Sequence, residues 1–193
     1  MTKNKIQRMT ILAVFTALII GLQWLGSFIR FGPFSISLVL VPLVIAAILE
    51  GPLAGAYLGG IFGLAVFLSG DAAAFLTVSV PGTVLTVMLK GILAGFAAGA
   101  VYKLLKNHNK YVAMIVAAVI CPIVNTLVFI LGCFAFFWGT LQEWGSSLGF
   151  TNTFVYLIVG MIGLNFLLEL LVNLVFSPAI VRVIDIGKTK LLR

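Results

Sequence analysis

Six stretches of the chain are apolar for long enough to cross, or nearly cross, a lipid bilayer. They lie at about 9–29, 34–50, 53–69, 83–105, 111–138 and 154–181, with short polar or Gly/Pro-rich breaks between them. A helix of about 20 residues covers a hydrocarbon core about 30 Å thick. The pattern therefore predicts an all-α membrane protein, a six-transmembrane-helix bundle forming a single membrane domain over 1–193. The second stretch is marginally long; it must stand upright, thin the bilayer, or continue as irregular backbone sheltered by protein. FGPF reads as a turn before it, and Glu50, Gly51 and Pro52 as a tight turn after it, with Pro52 suited to the start of the third helix.

The third and fourth stretches carry small-residue stripes, Gly55, Gly59 and Gly63, then Gly91, Gly95 and Gly99. Such stripes let helix backbones approach closely. GDAAAFLTVSVPGT and GTLQEWGSSLGFTNT read as loops, the first long and apolar enough to fold back over the bundle as a lid. Pro122 is expected to kink the fifth helix, and Pro178 to kink or stop the sixth.

Composition agrees with the pattern. Hydrophobic residues make up 62% of the chain and the mean hydropathy is +1.25, above the range of a soluble domain. The net charge of +7 comes from clusters rather than a nucleic-acid-binding face. Lys3, Lys5 and Arg8, then Lys103, Lys106 and Lys110, then Arg182, Lys188, Lys190 and Arg193 fall at alternate breaks. Positive residues collect on the cytoplasmic side, which predicts cytoplasmic N- and C-termini and a multi-pass protein of the cell membrane. The first apolar run lacks an A-x-A-like cleavage site and reads as a retained helix. Cys121 and Cys133, twelve residues apart on one helix, read as small core residues rather than a disulfide. Trp24, Phe137, Trp138 and Trp144 near helix ends read as interfacial anchors.

Enzymatic chemistry finds little support. The only histidine is His108, in the basic break KNHNK, so no nucleophile at membrane depth has an imidazole to activate it. Zinc-type spacings, H-E-x-x-H and the phosphate loop G-x-x-x-x-G-K-[ST] do not occur. No cofactor or metal is expected, and any ATP-driven step must be performed by another chain.

Against this background Lys90 and Glu169 stand out, because a charge at mid-membrane costs about 2.5–3.5 kcal/mol on insertion scales. The other polar residues within spans are Gln23, Asn125, Thr126, Asn165 and Asn173. Asn165, Glu169 and Asn173 recur every four residues and share one helix face, which cannot look at lipid. Two readings fit. Lys90 and Glu169 form a buried ion pair with the asparagines tying helices together; or Lys90 binds an anionic solute in a polar cup with Asn125, Thr126, Asn165, Glu169 and Gln23. Asp71, in the apolar loop, caps that loop or joins Arg30 or the solute. Ala13, Ala17 and Gly21 give the first helix a smooth face suited to packing within or between chains.

Six spans, AVFTA in the first helix, the run GDAAAFLTVSVPGTVLTVMLKGILAG, then CPIVNT and FILGCFAFF resemble an S component, the substrate-binding membrane subunit of prokaryotic energy-coupling factor (ECF) vitamin transporters. The likeness covers essentially the whole chain and is greatest to S components assigned to pantothenate. It implies a six-helix bundle with a vitamin site near the outer surface, covered by the loops around FGPF and around Asp71 to Pro81. It also implies docking of the face of Ala13 and Ala17, with Gly21 on the same stripe, on a transmembrane coupling (T) subunit that binds two ATPases. Other S components take hydroxymethylpyrimidine, riboflavin or folate, for which Trp24, Phe75 or Phe137 offer stacking faces, and fold does not choose among them. A membrane scaffold without a ligand is the reading outside this class.

Overall fold

The computed structural model describes residues 5–28, 30–31, 34–35 and 38–191. Lys3, Gly32, Pro33 and Arg193 lie outside the described residues, and so does the side chain of Arg30 on which the expected contact with Asp71 would rest.

Helix α1 (Lys5–Ser27) leads into a small antiparallel pair, β1 (Arg30–Phe31) and β2 (Phe34–Ser35), with Arg30 opposite Ser35 and Phe31 opposite Phe34. This corrects the expected second span. The apolar run begins as a strand at Phe34 and becomes helical only at Leu40, in α2 (Leu40–Glu50). Over a short apolar run, the hydrophobic pattern alone does not separate strand from helix. The 11 residues of α2 rise about 16 Å, roughly half of a hydrocarbon core. Such a piece survives at membrane depth by being surrounded, and every residue from Leu40 to Ile48 is buried, against α1 and four of the helices that follow.

Gly51 ends α2 with φ of 98°, a conformation that disfavours any side chain, and Pro52 opens α3 (Pro52–Leu68). Arg8 of α1 reaches this turn. Its Nη2 donates to the Glu50 carbonyl at 3.3 Å and its Nε lies 3.6 Å from the Glu50 carboxylate. The segment expected as a loop then contains a single helical turn, α4 (Ala73–Leu76), before α5 (Val80–Leu105), capped by the Ser79 hydroxyl accepting from the Gly82 N–H.

α3 and α5 meet backbone to backbone. A Cβ placed on Gly59 would run into the Gly91 carbonyl, and one on Gly55 into that of Gly95. The two small-residue stripes read in the sequence therefore face each other.

Asn109 caps α6 (Lys110–Gly132) by accepting from the N–H groups of Tyr111 and Val112. α6 passes through Pro122, a wide π turn at Cys133–Phe137 and α7 (Trp138–Ser147) as one helical stretch, 110–147. The segment from Gly139 to Ser147, expected as loop, is thus helix; its Trp144 half-buries and its Leu141 fully buries, which holds the helix beyond the apolar run. α8 (Thr153–Val155), a second π turn at Tyr156–Gly163 and α9 (Leu164–Leu191, with Pro178 inside) complete the chain.

Among the described residues four helical stretches are long and apolar enough to cross a membrane: Lys5–Ser27, Val80–Leu105, Lys110–Ser147 and Thr153–Ala179. The two shorter apolar helices are α2 and α3. Phe137, expected as an interfacial anchor, is instead buried in a cluster with Phe75, Cys133, Leu141, Tyr156 and Leu157. Cys121 and Cys133 are buried free thiols.

Candidate substrate-binding cavity

At the end of the bundle where α1 and α3 finish and α5 starts, the helices leave a cavity of about 90 Å³. A single water needs about 10–15 Å³ on this measure, so the space exceeds a packing defect. Its polar lining is Gln23 from α1, Asp71 before α4, Lys90 from α5, Asn125 and Thr126 from α6, and Asn165 and Glu169 from α9. The rest is apolar, chiefly Phe62, Phe75, Phe129, Phe166, Met161 and Ile162.

Each polar group arrives for a local reason. Gln23 sits one turn from the end of α1, buried, and its amide donates to the Asp71 carboxylate at 2.6 Å and to the Ser69 hydroxyl at 3.1 Å. This bond fixes the start of the α3–α5 connection against α1. Asn165 and Glu169 are one turn apart, so the Asn165 amide donates to Glu169 Oε1 at 3.3 Å. One turn further, Asn173 donates to the Glu169 carbonyl at 2.9 Å and packs below the cavity without lining it. Both Asn173 and Ser177, the next residue on that face, are fully buried.

Lys90 is reached from two sides by rings. Its Nζ lies 5.5 Å from the centroid of Phe62 and 5.6 Å from that of Phe129. A cation over a ring face at this range gains about 0.5–1 kcal/mol when exposed and about 2 kcal/mol when shielded from water. Among the described residues Lys90 enters no salt bridge; the carboxylates of Glu169 and Asp71 line the same cavity. The direct Lys90–Glu169 pair considered from the sequence is therefore absent among the described ion pairs, although both residues face the same space. The Asn125 side-chain oxygen is buried with no hydrogen-bond partner among the described residues. Leaving such an acceptor unpaired costs about 1–3 kcal/mol, so it stands ready for a donor.

Trp24 is 48% exposed on α1 and does not line the cavity. Phe75 does, and its ring meets Phe129, Phe137 and Trp144 edge-on at 5.7, 4.9 and 5.6 Å. The residues that sequence reasoning missed are Phe62, Phe129 and Ser69. Phe62 lies three residues past Gly59, on the helix face that the glycine stripe turns towards α5, and that spacing could have found it. The outward-facing stripe of α1 is open: Ala13, Ala17 and Gly21 are all exposed, and nothing stands within 4 Å of a Cβ added at Gly21.

One ammonium, two carboxylates, three carboxamides and a hydroxyl against aromatic walls suit a small solute with an anionic group and several hydrogen-bonding groups. A membrane helix bundle with a polar cavity of this kind is the architecture of a solute-binding membrane protein. The pattern of the ECF transporter substrate-specific component matches residues 7–181, and the chain belongs to that family. These components bind a vitamin substrate and work with T and ATPase subunits; they are transporter subunits and not themselves enzymes. The chain is also similar to the pantothenic acid transporter PanT of Lactococcus lactis subsp. cremoris (strain MG1363), 27% identical over 198 residues that cover 94% of this chain and 95% of that one. No solved structure matches the chain.

Proposed function

We propose that this S component captures pantothenate at the outer face of a prokaryotic cell membrane and delivers it inward with a T subunit and two ATPases. The observation that carries the reading is the meeting of Lys90, held by rings, with the oxygen of Asn125 in one small cavity, the first without a salt bridge and the second without a hydrogen-bond partner among the described residues. Pantothenate has a carboxylate for Lys90, and hydroxyls and an amide N–H for Asn125, Thr126, Asn165 and Glu169. Gln23 and Asp71 join the α3–α5 connection to α1 beside the site and meet the solute's outer end. Both termini lie in the cytoplasm in this reading, with six passes in all, α2 and α3 included. The similarity to PanT supports this choice of vitamin over hydroxymethylpyrimidine, riboflavin or folate. The exposed face of Ala13, Ala17 and Gly21 docks on the T subunit, since small side chains allow close helix approach.

Purified protein should bind labelled pantothenate, and pantothenate should raise its unfolding temperature more than other vitamins at equal concentration. A larger shift with one of the other three vitamins, and none with pantothenate, overturns the substrate assignment.

A further inference from the structure

Lys90 is half-buried within an apolar helix, and its contacts among the described residues are two ring faces. We propose that Phe62 and Phe129 are positioning residues that hold the Lys90 ammonium in the cavity and thereby set the preference of the site for an anionic over a neutral solute. The inference rests on the reading of Lys90 as the anion-binding group and adds what makes it one.

The rings come from different helices. Phe62 belongs to α3 and is 1% exposed, so its place is fixed by packing; Phe129 belongs to α6 and is braced by the edge of Phe75. Gly91, next to Lys90, makes room for the Phe62 ring: a Cβ there would stand 3.2 Å from Phe62 Cδ1. The chemistry of the two kinds of partner differs. A carboxylate in contact with Lys90 would neutralise it and occupy its N–H donors, so an incoming anion would have to break an ion pair before making its own. A ring face attracts the cation through its quadrupole and takes no hydrogen bond of comparable strength, so the charge stays in place with donors to spare. Glu169 and Asp71 line the same cavity and form no salt bridge with Lys90 among the described residues.

The test replaces Phe62, and separately Phe129, with phenylalanines of increasing ring fluorination, which weakens the ring face with little change in shape. Affinity is measured for pantothenate and for its neutral alcohol analogue, with thermal unfolding as the check on folding. Pantothenate affinity should fall stepwise, by roughly two- to five-fold per ring at full fluorination, while alcohol affinity holds. A flat or rising pantothenate affinity, or an equal fall for both ligands, overturns the inference. Lys90→Met in the same assay separates the two claims. If it leaves pantothenate affinity unchanged, the anion-site reading itself fails; if it abolishes the preference for pantothenate while fluorination does nothing, only the role of the rings fails.

Discussion

Lys90 and Asn125 occupy the cavity on different terms, and their variants should separate accordingly. Lys90 is anchored by Phe62 and Phe129, whereas the Asn125 oxygen has no partner among the described residues. Lys90→Ala should weaken pantothenate binding at least about ten-fold, worth about 1.4 kcal/mol, with the protein still folded. Asn125→Ala should weaken binding while leaving the empty protein as stable as before or slightly more so, because a buried acceptor without a donor is a cost removed. Equilibrium binding paired with thermal unfolding reads both, and unchanged affinity in the two variants removes them from the site. The charges and amides of this site were legible in the sequence because they are scarce: 9% of the chain is charged, and a lone polar residue in an apolar run must be sheltered. Phe75 stands among the stacking candidates read from the sequence, but Phe62 and Phe129 do not, because the chain has 16 phenylalanines and composition marks none of them as different.

Helices were legible to the extent that apolar runs end in residues that stop or start them. Gly51 and Pro52, read as a turn, do lie between α2 and α3, whereas the caps Ser79 and Asn109 before α5 and α6 go unread and α5 starts at Val80 rather than 83. Where the apolar run passes through a change of backbone without such a signal, the sequence gives no warning. The strand at Phe34–Ser35 and the π turns at Cys133–Phe137 and Tyr156–Gly163 are of this kind. The α3–α5 contact offers the sharpest test at this scale. Gly59→Leu should lower stability by more than about 3 kcal/mol or prevent accumulation of folded protein, because backbone rather than a movable side chain stands in the way. Gly139→Ala, where nothing lies within 4 Å of the added Cβ, should stay within about 0.5 kcal/mol of the parent. Expression of monodisperse protein and its unfolding temperature in detergent measure the difference.

For the whole molecule, capture and delivery should be separable. Ala17→Trp adds bulk to an exposed face of α1 away from the cavity. It should leave pantothenate binding intact and abolish ATP-driven uptake in proteoliposomes that contain the partner subunits. Loss of binding together with uptake would place that face inside the fold's own packing. Uptake by this chain alone, without ATP, would contradict the coupled reading.

The backbone contact between α3 and α5 has one more consequence, which concerns the lipid. α3 has 17 residues and α5 has 26, so they span about 26 Å and 39 Å. Side chains that interdigitate can repack when two helices slide, but glycines meeting carbonyl to glycine have nothing to repack. A short helix and a long one joined this way cannot each adjust to the bilayer on their own; tilt imposed on α5 by a thin membrane is imposed on α3 as well. Phe62 and Lys90 ride on this pair, one on each helix. Membrane thickness is therefore an input to the cavity, and pantothenate affinity should vary with acyl-chain length in phosphatidylcholine vesicles. The chain's surroundings, and not only its residues, then decide how tightly the vitamin is held.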